Sequence, residues 1–247
     1  MFHFIVSELL MDKFLGFLPK LKIILIYFLL IAGGIWNLTG MFQTLMQTIS
    51  GPVIILTAFF ILHEILHKKF TGIDNILEVN QSHYRNKISV FFIFMVCAGF
   101  LIEFAGVKTG YVFGRYTYGT ILKPQLFEVP IAIGFAWFST LMVSVAVMQK
   151  YIRINLRLMA VWKKSLIVGV LMMVFDYFLE HAAMNLTYWT WQIGIVPTVN
   201  YFSWFILGSL FAFIGYKSDL LNKSLPESVH HLFFAQIIFF LLSMFRI

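Results

Sequence analysis

Asp176 and Glu180 stand one helical turn apart inside a run that is otherwise apolar enough to lie in a membrane. Glu103 sits near the end of another such run. An ionisable side chain in hydrocarbon costs about 3 kcal/mol even on the lenient insertion scale, so each acid is a candidate functional group. Burial in an apolar pocket disfavours the charged form of a carboxyl group, and a second acid close by reinforces this. A protonated carboxyl ringed by aromatic faces can protonate an alkene, after which the faces stabilise the cation. Such chemistry demands no metal and no organic cofactor.

The elements that must position these acids are membrane spans. Of the 247 residues, 60% are hydrophobic and only 12% charged, outside the range of ordinary soluble domains. The apolar residues come in runs close to the ~20 a spanning helix needs. Seven are predicted, near 22–40, 52–66, 88–106, 129–148, 165–184, 201–216 and 230–246, with the second and sixth the shortest. The runs are continuous rather than alternating, which excludes a β-barrel. The expected fold is all-α: a polytopic integral membrane protein of about seven transmembrane helices. It forms a single membrane-embedded unit over 1–247, with 1–20 as a cytoplasmic, interfacial segment and 22–246 as the transmembrane bundle.

Excess Lys and Arg stay on the cytoplasmic side of a membrane. Lys13, Lys20, Lys22, Lys68, Lys69, Arg85, Lys87, Lys150, Arg153, Arg157, Lys163, Lys164, Lys217 and Lys223 fall in the N-terminal tail and the even-numbered connections. Lys108, Arg115, Lys123 and Arg246 fall on the other side. The N-terminus is therefore expected inside and the C-terminus outside. The net charge of +7 follows from this topology and from anionic headgroups, so no nucleic-acid partner is implied. Both acid-bearing runs then pass outward, which places all three acids in the outer half. Two outer connections, 41–51 and 185–200, carry no charge. Arg115, Tyr116, Tyr118, Tyr188, Trp189, Trp191, Asn200, Tyr201 and Trp204 gather on the same side.

Blander readings compete for several of these residues. Trp and Tyr collect at any membrane interface, Arg115 can snorkel to headgroups, and His181 reads as a structural hydrogen-bond partner of its surroundings. His63, Glu64 and His67 fit H-E-x-x-H, which on a helix can hold zinc with the Glu as base, as in intramembrane metalloproteases. That site lacks a third ligand beyond Asp74 or His83 in a connection, and it lies on the cytoplasmic side. His3, His83, His181, His230 and His231 read as scattered over both faces, which disfavours a non-haem iron centre. The last span has no Lys for a retinal Schiff base. Cys97 stands alone, so no disulfide framework exists. Pro19 and the long tail before it favour a retained first helix over a cleaved signal. Asn185-x-Thr187 fits a glycosylation acceptor, a common and mostly idle pattern.

The motifs resemble a known family. EFAGVKTGYVFGRYTYG over 103–119, then Val129, Pro130 and Trp137, resemble the central block of the carotenoid biosynthesis proteins that include carotenoid 1,2-hydratases. DYFLE over 176–180, YWTW over 188–191, IVP over 195–197, Asn200, Tyr201 and Trp204 resemble its second block. The resemblance covers about residues 88–216. It departs at His181, where Pro is expected, at Ala136, where Asn often precedes Trp137, and over 123–128, where a Gly-rich stretch is expected.

The resemblance implies addition of water across the terminal 1,2 double bond of an acyclic carotenoid end. Asp176, Glu103 and Glu180 would be catalytic. Arg115, Tyr116, Tyr118, Trp137, Tyr188, Trp189, Trp191, Asn200 and Trp204 would bind substrate. In this reading Asp176 protonates C2, Tyr188, Trp189 or Trp191 faces the cation at C1, and Glu103 or Glu180 takes the spare proton from water. A C40 polyene is about as long as the ~30 Å hydrocarbon core is thick, so its end would reach the depth of the acids. A cyclase shares the protonation step and captures the cation internally. Non-enzymatic carotenoid or lipid binding and proton-coupled transport also place acids in helices, although the inverted repeats of transporters are not seen. The expected partners are a carotenoid within the bilayer and membrane lipid, with association with other carotenoid enzymes left open. The expected location is a bacterial inner membrane, with the site toward its outer face.

Overall fold

The computed structural model describes residues 2–68, 81–152 and 158–245, with side chains from Pro19 onward. Among them are seven helices long and apolar enough to cross a membrane. They are α1 (Phe2–Thr39), α2 (Gln43–His67), α3 (Gln81–Thr109), α4 (Ile131–Tyr151), α5 (Val161–Asn185), α6 (Thr198–Lys217) and α7 (Glu227–Met244). In hydrocarbon every backbone N–H and C=O must pair within the protein, and a continuous helix does this. Hydroxyls obey the same constraint: Thr57, Ser139, Ser165 and Ser209 each turn back to the carbonyl four residues earlier. Lys69, Asp74, Arg153, Arg157 and Arg246, and the side chains of His3 and Lys13, lie outside the described residues.

The seven spans match the predicted seven in number and order. The second and sixth, predicted short, run to 25 and 20 residues. Residues 2–18 continue the backbone helix of the first span, with Pro19 inside it. The uncharged stretch 41–51, expected as a connection, is mostly the start of α2. Its polar side chains fit a helix because Thr48 and Ser50 bond to the carbonyls of Thr44 and Met46.

α4 is the axis of the bundle. Its sequence is apolar on all sides and its side chains are buried along most of its length, as a central helix requires. It contacts α2, α3, α5, α6 and α7, while α1 packs on α7 and α5 on α6. At the Lys-rich end, Glu64 accepts from Lys22 and from Ser228, which ties α2 to α1 and α7. Gln149 at the foot of α4 donates to the carbonyls of Leu221 and Lys223 and accepts from the Leu225 N–H.

The opposite end carries short strands that the helical reading did not foresee: β1 (Tyr116–Tyr118), β2 (Gln125–Leu126), β3 (Val129–Pro130) and β4 (Trp189–Trp191). β2 and β3 form a tight hairpin whose two turn residues, Phe127 and Glu128, have left-handed backbone at φ 52° and 70°. β1 and β4 come from two different connections and pair antiparallel, with Tyr116 opposite Trp191 and Tyr118 opposite Trp189. Ser203 Oγ donates to the Val112 carbonyl and fastens the β1 connection to α6. Together these contacts make a lid over one end of the bundle.

Candidate active site

The lid is built by strand alternation. In a strand, successive side chains point to opposite faces. Thr117 and Thr190 therefore face out, with their hydroxyls 3.2 Å apart, while Tyr116, Tyr118, Trp189 and Trp191 face in. All four inward side chains end on a carboxylate. Glu103 Oε2 accepts from the hydroxyls of Tyr116 at 2.5 Å and Tyr118 at 2.9 Å. Glu180 Oε2 accepts from the indole N–H groups of Trp189 and Trp191, both at 2.8 Å.

The helices complete the set. Trp137 on α4 donates to Glu103 Oε1 at 3.0 Å. Asn200 on α6 donates from its amide nitrogen to Asp176 Oδ2 at 2.7 Å and to Glu180 Oε1 at 3.3 Å. Glycines make the room. Gly99 and Gly106 flank Glu103 at i−4 and i+3, on one face of α3. A Cβ on Gly99 would lie 2.7 Å from Trp137, and one on Gly106 would lie 2.6 Å from Phe113.

Asp176 differs from its two partners. It is fully buried, and its Oδ1 has no hydrogen-bond partner. Three other described side chains bury a polar atom without a partner, Ser144, Tyr216 and Gln236. None of those lines the acid cavity and none is an acid.

The acids share a small cavity of about 30 Å³, room for about two waters. Its wall also includes Phe113, Tyr116, Tyr118, Trp137, Trp189, Trp191, Asn200 and Trp204. Trp137 and Trp204 stack nearly parallel, with centroids 4.0 Å apart. Ile133, Ala136 and Trp137 on α4 follow at i, i+3, i+4, as do Asp176, Leu179 and Glu180 on α5. Two helix faces of the same spacing thus meet across the space. Of these six residues, Ala136 and Leu179 are partly exposed and the other four are buried.

The sequence reading drew these acids and most of its aromatics together, and the structure does bring Glu103, Asp176, Glu180, Tyr116, Tyr118, Trp137, Trp189, Trp191, Asn200 and Trp204 into one wall. Arg115 and Tyr188 are not in it. Arg115 is exposed and borders a separate outer opening of about 460 Å³ with Lys108, Thr117, Thr190 and Gln192. Tyr116 belongs to both walls. Tyr188 turns the other way and its hydroxyl meets Ser50 at 2.8 Å. Burial pushes the Tyr188 phenol above its ordinary range, with the Ser50 bond opposing. For Tyr116 and Tyr118 burial is again the largest cause, and the charge of Glu103 pushes both phenols further up. Ile133 and Leu179 were missed as wall residues, and their i, i+3, i+4 spacing was the available signal.

Glu64 of the H-E-x-x-H pattern takes another role. Glu64 is held by Lys22 at 2.8 Å and by Ser228 at 2.6 Å, so its carboxylate is committed to a helix-to-helix contact. His181 Nδ1 lies 2.7 Å from the carbonyl of Tyr177 on its own helix, a structural bond as expected.

The family described as carotenoid biosynthesis protein matches residues 51–246. A bisanhydrobacterioruberin hydratase from Haloarcula japonica is 28% identical over 113 residues, which cover 44% of this chain and 38% of that protein. The match thus spans well under half the length of that relative. No solved structure matches the chain.

Proposed function

The chain belongs to the carotenoid biosynthesis protein family, and we propose that it is a hydratase that adds water across the terminal 1,2 double bond of an acyclic carotenoid end. The observation that carries this reading is the buried, unpartnered Oδ1 of Asp176, a residue in the wall of a small aromatic cavity shared with two other acids. Glu103 and Glu180 each accept from three donors, and the N–H donors among them can do nothing but donate. Those two acids are built as acceptors. A proton on Asp176 Oδ1 has no competing bond, and because that atom is sealed from water the wall around it must shift for an alkene carbon to meet it.

In the proposed reaction Asp176 transfers its proton to C2, and the π electrons of the double bond form the new C–H bond. The tertiary cation left at C1 faces the Trp137–Trp204 stack and the indoles of Trp189 and Trp191. Water adds at C1 and its surplus proton passes to Glu180. Asn200 holds Asp176 and Glu180 together, so return of that proton to Asp176 resets the site. Substrate plus water gives a tertiary alcohol, with no net change in the protein. Water is within reach because Tyr116 alone of the acid-binding side chains also borders the outer opening, which favours capture by water over cyclisation. The cavity is too small for the dimethyl end, so entry requires the wall to yield, in this reading at its partly exposed residues Ala136 and Leu179. By its charge pattern the lid faces the outer side of a bacterial inner membrane.

The test is expression in a host that accumulates a carotenoid with an open ψ-end, with extracted pigments resolved by chromatography and mass. The expected product is one water heavier, with its visible chromophore unchanged. An isomer of equal mass and shifted spectrum would replace the hydratase with a cyclase. Unaltered pigment from inserted protein would overturn action on that end group.

A further inference from the structure

The Lys-rich end of the bundle holds a second group of ionisable side chains, remote from the acids. On the first turns of α7, Glu227, His230 and His231 follow at i, i+3 and i+4 and so share one helix face. One ligand-capable atom from each lies within 4.8 Å of the other two. His230 and Glu227 line a cavity of about 730 Å³, and His63 and His67 of α2 line it too. The sequence reading put His63 and His67 on the cytoplasmic side and counted His230 and His231 among histidines scattered over both faces. The fold instead gathers His63, His67 and His230 at one end, because α2 ends where α7 begins.

The surroundings suit a cation despite the lysines. Lys22 is neutralised by Glu64, and Lys68 donates to Ser224 and to the Leu225 carbonyl. Lys150 approaches Glu227 only at 3.6 Å, a loose exposed pair that a metal would displace at little cost. The Tyr27 hydroxyl lies 3.2 Å from His231 Nδ1. When Nδ1–H donates to that hydroxyl, Nε2 is left with the lone pair a metal takes, as in metal-bound histidines with a second-shell partner. Tyr151 meets the His230 ring edge-on, at 5.7 Å, and limits its rotation.

We propose that Glu227, His230 and His231 bind one first-row divalent metal ion of the zinc type, with the remaining position open to water or to a histidine of α2. Two imidazoles and a carboxylate are the donors such ions take, whereas calcium and magnesium prefer all-oxygen sets. Tetrahedral coordination at zinc brings ligand atoms to about 3.3 Å from one another. Side-chain rotation alone reaches that from the present spacing, since the three residues already share a helix face. The site is independent of the proposed hydration, and its test needs no substrate.

Tag-free protein, stripped with a chelator in detergent, is titrated with cobalt(II) and read by visible absorption, then challenged with zinc. The expected result is one cobalt per chain with the bands of four-coordinate cobalt, displaced by zinc. Glu227→Gln and His231→Ala, both at accessible positions, should each weaken binding by more than about tenfold. Zinc should raise the unfolding temperature of the wild type and not that of the double variant, which also reports whether the variants fold. Weakening by His67→Ala as well would extend the ligand set to α2. Failure to bind in stoichiometric amount, or binding that survives in a folded Glu227→Gln, His231→Ala protein, would overturn the proposal.

Discussion

Asp176→Asn is the substitution that separates chemistry from architecture at this site. The change is isosteric, and the structure fixes how the amide would sit. Its oxygen takes the place of Oδ2 and keeps the 2.7 Å bond from Asn200. Its NH₂ then occupies the Oδ1 position, where no bond is broken but two N–H donors stand unpaired in place of one O–H. Stability should therefore fall by about 1 to 3 kcal/mol, the cost of one further unsatisfied buried donor. The rate should fall by about 10² to 10⁴, the usual contribution of a positioned general acid, equivalent to about 3 to 5 kcal/mol of barrier. The assay is pigment conversion by protein in lipid vesicles, paired with thermal unfolding of the same preparation. Run in deuterium oxide, the wild type should place one non-exchangeable deuterium at C2, and residual product from the variant should accumulate with the same label. A folded Asp176→Asn protein with the wild-type rate would refute the assignment of Asp176 as proton donor.

Glu103→Gln should also destabilise the fold: an amide nitrogen must face either the Trp137 N–H or the two Tyr hydroxyls, so a donor is stranded and stability falls by about 2 to 3 kcal/mol in thermal or denaturant unfolding. Ala136→Phe should place a ring at a partly exposed position of the cavity wall and depress conversion of the carotenoid, mainly through KM, while leaving the unfolding temperature within a few degrees. Tyr116 and Tyr118 should remain protonated above the ordinary phenol range, because burial and then the charge of Glu103 raise both. The folded state keeps two protons that the unfolded chain releases, so their contribution to stability is intact below about pH 10 and is lost as pH rises beyond it. Tyrosinate absorbance from these two should thus appear only with unfolding, and early titration of either in a Tyr-by-Tyr Phe series would contradict the burial argument.

Much of the fold was legible because a bilayer leaves little choice. Seven apolar runs could only become seven helices, and the three acids stood out against them. The ends of the runs were less legible. Thr44, Thr48 and Ser50 made 41–51 look like a connection, whereas their hydroxyls can be satisfied by the helix's own carbonyls. The lid was written in the sequence as well, in Tyr-Thr-Tyr over 116–118 and Trp-Thr-Trp over 189–191. Read as membrane-interface aromatics, these triplets gave the residues but not their purpose. Their alternation is that of half-buried strands, but three residues are too few to assert a strand without its partner. Pairing across 73 residues of chain is a tertiary fact. Arg115 and Tyr188 were drawn into the site by proximity in sequence to such triplets, yet Tyr188 precedes its strand and Arg115 precedes the other, outside the alternating register.

That pairing also explains how the bundle tolerates three buried acids. A carboxylate out of water is sustained only if its oxygens are filled by donors. The lid supplies four of the six donors that Glu103 and Glu180 accept, and because β1 and β4 lie in one ladder, neither acid can lose its pair without disturbing the other's. Asp176 sits below, bound to Glu180 only through Asn200 and left with one bare oxygen. A fold that satisfies two acids with three donors each had the means to satisfy a third. Leaving Oδ1 without a donor, on a residue in the wall of the aromatic cavity, forgoes stability at one atom, and that atom is where a proton could be delivered to carbon.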